Sequence, residues 1–117
     1  MSRLRKQQTD ETFTLEPGHV LVRRVTLDDG SSSAHRCPLD SFKQIVHAIE
    51  ESGEAGATVM EMAEKEDLPS SQVAVARAFL WERSIIEVGP RRRMRAASPT
   101  MVEDALTEFH ALANSRA

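Results

Sequence analysis

Residues 58–97 read TVMEMAEKEDLPSSQVAVARAFLWERSIIEVGPRRRMRAA, and the rhythm of the chain changes three times within them. Thr58 is followed three residues later by Glu61, the pattern of a capping box: the hydroxyl accepts from the Glu61 N–H and the carboxylate accepts from the Thr58 N–H. A helix over about 59–66 follows, with Val59, Met62 and Ala63 inward. Leu68-Pro69 ends it, because the residue before a proline is pushed out of the α region. Ser70 or Ser71 is expected to cap the next helix, which runs to about 83. The period then falls towards two. Ile85-Ile86-Glu87-Val88 and Met94-Arg95-Ala96-Ala97 are short β-type stretches, joined by Gly89-Pro90-Arg91-Arg92-Arg93.

Upstream, Leu39, Phe42, Ile45, Val46 and Ile49 share one helical stripe, so a helix is expected over about 38–52, stopping near Gly53. Before it, TFTLE (12–16) alternates, Pro17-Gly18 marks a turn, and HVLVRRVTL (19–27) is rich in β-branched residues. The simplest reading is a β-hairpin. Val20, Leu21 and Val22 are consecutive, so either both faces are covered or the strand carries a bulge. DDGSSSAHR (28–36) is expected as a loop or linker. Downstream, Ser98-Pro99 opens an amphipathic helix over about 99–114, carrying Val102, Ala105, Leu106, Phe109 and Leu112. The chain thus divides into a flexible polar arm (1–11), a hairpin and linker (12–37), a central domain (38–97) and a C-terminal helix (98–117). The class is α+β, mainly α.

The order helix, helix, turn, helix, strand, basic loop, strand over residues 38–97 resembles a winged helix-turn-helix. Ala63 stands at the small-residue position of the second helix, Leu68 at the apolar turn position, and Val73 and Ala76 at the inward positions of the third. Leu80 and then Ile85-Ile86 match the passage into the wing. Asp67 and Ser84 stand where the superfamily often has Gly; Asp tolerates a positive φ better than most residues. The resemblance implies that the third helix lies in the major groove of double-stranded DNA while the wing holds phosphates. Ser70, Ser71, Gln72, Ala74 and Arg77 would then dock the helix, and Arg91, Arg92, Arg93 and Arg95 would grip the backbone. Arg3, Arg5 and Lys6 would form a second basic arm. So small a domain reads few base pairs, so a homodimer is expected. The C-terminal helix would either form its seam or cover the domain's own core.

Charge is distributed to match in part. Residues 40–67 hold eight acids and two lysines, whereas residues 77–95 hold six arginines and two glutamates. The local field matters more to a partner than the net −3. The third helix also carries a contrary signal. On a wheel, Val73, Ala76, Phe79 and Leu80 turn inward, leaving Ser71, Ala74, Arg77, Ala78 and Trp81 outward. That face offers few base-reading side chains. An Ala74/Ala78/Trp81 surface suits contact with a protein element as well, so a protein-interaction module stands as the alternative. Glu64, Glu66 and Asp67 would repel a phosphate backbone if they faced it.

Other chemistries find little support. His35, Cys37 and His47 match no standard metal spacing. Ser31, Ser32 and Ser33 near His35 lie on a loop that cannot hold a nucleophile and base in register. Cys37 is expected as a small apolar residue at a helix start, and Met60, Met62, Met94 and Met101 as core filler. With no phosphate loop and no cofactor motif, no enzyme, metal or cofactor is expected. One cysteine, no secretory signal and no bilayer-length apolar run give a cytoplasmic expectation with no membrane partner.

Overall fold

Apolar residues occupy both faces of the segment after Pro17-Gly18, and the surrounding fold covers both. The structure, a computed structural model, describes residues 8–114. In chain order it holds β1 (Gln8–Glu16), β2 (Val20–Leu27), β3 (Ser32–Pro38), α1 (Leu39–Ser52), α2 (Val59–Glu66), α3 (Ser70–Glu82), β4 (Ile86–Val88), β5 (Met94–Ala96) and α4 (Met101–Ala111). Single 3-10 turns lie at Gly53–Ala55, Pro90–Arg92 and Leu112–Asn114. The result is an α+β fold, about half helical, with four helices and two antiparallel sheets among the described residues.

The N-terminal hairpin is in fact part of a three-stranded sheet in the order β1-β2-β3. The expected 28–36 linker shrinks to a turn, and Ser32–Pro38 pairs with Val20–Thr26. Its serines are poor strand formers, but pairing satisfies the backbone groups on the second edge of β2. Leu21 and Val22 are both buried, and the ladder between them and β3 is unbroken, so both faces are covered. The one irregularity lies in β1, between Gln8 and Asp10. Residues 8–11, expected in the arm, therefore belong to a strand. The rest of the arm, with Arg3, Arg5 and Lys6, lies outside the described residues.

The helices follow their caps, with two corrections. Thr58 Oγ1 accepts from the Glu61 N–H at 3.1 Å, and Glu61 Oε1 accepts from the Thr58 N–H at 3.1 Å. Neither Ser70 nor Ser71 caps α3. Pro69 takes the N-cap position, and its carbonyl accepts from the amides of Gln72 and Val73. α4 begins at Met101, two residues later than expected; Ser98 Oγ accepts from the Thr100 N–H, leaving Pro99 outside the helix. α2 and α3 end alike. Asp67 and Ser84 both take a positive φ, 56° and 61°. The following amides, Leu68 and Ile85, reach back to the carbonyls of Ala63 and Leu80. These are Schellman-type closures built without glycine.

One contiguous core joins every layer. α1 gives Phe42, Ile45, Val46, Ala48 and Ile49; α3 gives Val73, Val75, Ala76, Phe79 and Leu80. Leu21 and Cys37 enter from the sheet, and Met101, Ala105, Phe109 and Leu112 from the C-terminal segment. All four phenylalanines form a chain of ring contacts across it. Phe13 lies 5.3 Å from Phe79, Phe79 6.0 Å from Phe42, and Phe42 4.8 Å from Phe109. α4 thus packs its apolar stripe into its own chain, which is the core-covering role. Met62, Met94 and Met101 are buried as expected, but Met60 is exposed, because it stands on the outer side of α2. No helix among the described residues is long and apolar enough to cross a membrane.

Candidate nucleic-acid interface

The outward face of α3 lies between two flanks. On one, the N-terminal sheet covers Val75 and Phe79; the burial of Val75 was not legible on the wheel. On the other stands the hairpin of β4 and β5. Ser70, Ser71 and Trp81 are exposed; Ala74, Arg77 and Ala78 are half-buried. Gln72 departs from the expected docking set. It is half-buried with its Oε1 sealed from solvent and without a hydrogen-bond partner among the described residues, so its carbonyl is not offered to a base edge.

Arg77 is the most unusual member of the face. Its guanidinium carbon lies 5.1 Å above the Trp81 ring, a cation–π distance. Its Nε is buried with no hydrogen-bond partner among the described residues. Burial lowers its pKa, and the charges of Arg92 and Arg23 lower it further. Arg77 is thus a partly dry cation with no ion pair among the described residues. Trp81 itself remains 50% exposed. It borders a hollow of about 600 Å³ lined also by Ser84, Ile86, Val88 and Arg95.

The basic loop divides into two pairs. Arg93 grips Glu61 with both nitrogens, at 3.0 and 2.9 Å, and donates to the Gly56 carbonyl at 3.2 Å. This clasp ties the hairpin to the start of α2, beside a bridge in which Ala57 and Met94 exchange two backbone hydrogen bonds. Glu61 is held below the usual carboxylate range by the Thr58 amide first and by Arg93 second. Arg95 pairs with Glu87 at 3.4 Å. Arg93 is thus engaged within the fold by Glu61 and Gly56, and Arg95 by a longer, exposed pair with Glu87. The capping box marked Glu61, but nothing in the spacing marked its second partner.

Arg91 and Arg92 are different. Both are exposed and form no ion pair among the described residues. Both have positive φ, 61° and 60°, at the centre of a turn in which the Pro90 carbonyl accepts from the Arg93 N–H at 3.4 Å, inside the bond from the Gly89 N–H to the Arg93 carbonyl at 2.9 Å. Positive φ at both centres is the habit of a primed hairpin turn, where Asn-Gly is the favoured pair. Arginine at both positions costs about 1 kcal/mol or more each in backbone strain. No protein-family model, curated protein or solved structure matches the chain.

The remaining candidates separate cleanly. His35 and His47 are exposed and Cys37 is buried, and no group of three metal-ligating side chains occurs among the described residues. Burial pushes the Cys37 thiol up to about 12, which suits a packing role. Glu64 and Asp67 are exposed on α2, while the Gln44 side chain donates to the backbone and carboxylate of Glu66.

Proposed function

We propose that the chain is a winged helix-turn-helix protein that binds DNA, with α3 towards the major groove and the β4–β5 wing on the backbone, acting as a small transcriptional regulator. The order of elements from α1 to β5 supports this architecture. The observation that carries the binding reading is the wing tip. Two exposed arginines with no ion pair among the described residues occupy strained positions where Asn-Gly would be stabilising, and Arg77 on α3 also has a buried Nε without a partner among those residues. Strain kept at an exposed charged turn points to a ligand. Phosphate contact falls to Arg91, Arg92 and Arg77; Ser70, Ser71 and Ala74 are the remaining docking positions on α3.

The test replaces Arg91→Asn together with Arg92→Gly. The pair removes both charges while suiting the turn, so the fold keeps its stability. Titration of a labelled duplex across a salt series is expected to show weaker binding and a salt slope flatter by about 1.8, at about 0.9 per phosphate contact. Arg93→Ala is expected to leave that slope nearly unchanged. No binding of the wild type near about 50 mM salt would end the DNA reading.

A second reading is favoured by the exposure of Trp81 beside Ala74 and Ala78: a winged helix used as a protein-interaction module. It predicts that Trp81→Ala abolishes partner binding while the Arg91/Arg92 double variant does not.

A further inference from the structure

We propose that the surface formed by Trp81, Arg77 and the wing tip receives unpaired nucleotides, with a base stacked on the Trp81 ring and the adjoining phosphates on Arg77, Arg91 and Arg92. The inference rests on the nucleic-acid reading and names the form of strand that this surface fits. Three observations carry it. First, the outward face of α3 offers few side chains that read base edges in an intact duplex: Ser70, Ser71 and Arg77, with Ala74 and Ala78 between them and the Gln72 Oε1 sealed from solvent. Second, one large aromatic stands half in solvent, with one side towards an open hollow of about 600 Å³ whose floor includes Ile86 and Val88. A half-exposed aromatic plane beside an open hollow is a stacking platform, and stacking tolerates any base because every base has a π face. Third, the cation placed on that ring, Arg77, has no ion pair among the described residues. Arg77 sits over the indole at 5.1 Å, and burial first, then the charges of Arg92 and Arg23, lower its pKa. Phosphate is the group that relieves such crowding, and a strand passing from the wing tip to the ring would supply one per nucleotide. The acids bordering the hollow and the ring already have partners: Glu87 holds Arg95, and Glu82 pairs with Arg83.

Trp81 is the only tryptophan of the chain, so its fluorescence reports this contact directly. The experiment titrates the full-length protein with a short oligothymidylate, with a duplex of mixed sequence, and with the same duplex carrying a single-stranded overhang. Quenching of Trp81 is expected with the oligothymidylate and the overhang, and little with the blunt duplex. By anisotropy of labelled oligothymidylate, Trp81→Ala is expected to weaken binding by about 5- to 100-fold, the worth of one stacked base. Trp81→Phe is expected to recover most of it. Binding of the blunt duplex at least as tightly as the single strand, with Trp81 unquenched and the Trp81→Ala variant unaffected, overturns the stacking proposal and leaves the duplex reading in place. Failure of all three nucleic acids to bind overturns both.

Discussion

Ser84 and Asp67 sit in the left-handed region with β-carbons that glycine would lack, at φ 61° and 56°. Each closes a helix by the same backbone device, and each stands where glycine costs least. Ser84→Gly and Asp67→Gly are each expected to raise stability by about 1 kcal/mol in urea unfolding, since left-handed strain on an L-residue is worth roughly that. A loss in either variant would show that the side chain contributes more than its strain costs. Cys37 makes a second residue-scale case. Its folded pKa is raised from 9.0 to about 12 by burial. Between those values the unfolded thiol has lost its proton and the folded one has kept it. The stability that the neutral thiol contributes is therefore complete below about pH 9 and declines as pH rises towards 12. Alkylation at pH 8 is expected to be slow in the native protein and fast in denaturant. Rapid native alkylation would contradict the burial.

The β4–β5 hairpin is the element whose placement the interface depends on. It is anchored at Gly56-Ala57, where Ala57 bridges Met94 and Arg93 clasps Glu61. Gly56 has φ 70°, and a β-carbon there would lie 2.8 Å from the Met94 carbonyl oxygen. Both backbone strain and collision oppose any side chain. Gly56→Ala is expected to destabilise by about 2 kcal/mol or more. It is also expected to loosen the hairpin, read as faster amide exchange at Met94 and Ala57. Arg93→Ala acts on the same anchor more gently. Solvent screens so exposed a pair and leaves its contribution small, so the variant is expected to remain folded. Thermal unfolding measures both, and a Gly56→Ala protein as stable as the wild type would mean that the hairpin stands further from α2.

At the scale of the molecule, the ring chain Phe13–Phe79–Phe42–Phe109 makes sheet, α3, α1 and α4 one cooperative body. Phe109→Ala is expected to cost about 3–5 kcal/mol and Leu80→Ala about 2–5 kcal/mol. Deletion of 99–117 removes Met101, Ala105, Phe109 and Leu112 from the core at once and is expected to unfold the chain. A truncated protein that keeps cooperative unfolding would return α4 to the role of a dimer seam. With its buried stripe committed within the chain, α4 leaves the half-buried Val102 and Leu106 as the flank on which a homodimer would draw. Sedimentation at high micromolar concentration tests that, and a monomer there ends the dimer proposal.

The sequence by itself determined the local signals: the stripe of α1, the capping box at Thr58 and Glu61, and the inward phase of Val73, Ala76, Phe79 and Leu80. Each is written within a turn or two of chain, where period and cap chemistry act. What the tertiary structure decided lies between residues far apart in sequence. β3 exists because β2 has a second edge to satisfy, against the propensity of its serines. Arg93 is clasped by Glu61, 32 residues away, while Arg91 two positions earlier has no ion pair among the described residues. The four neighbouring arginines are chemically alike in the sequence. Only the packing of the hairpin against α2 separates the arginine that clasps Glu61 from those at the exposed tip, because an ion pair forms where two side chains meet in space.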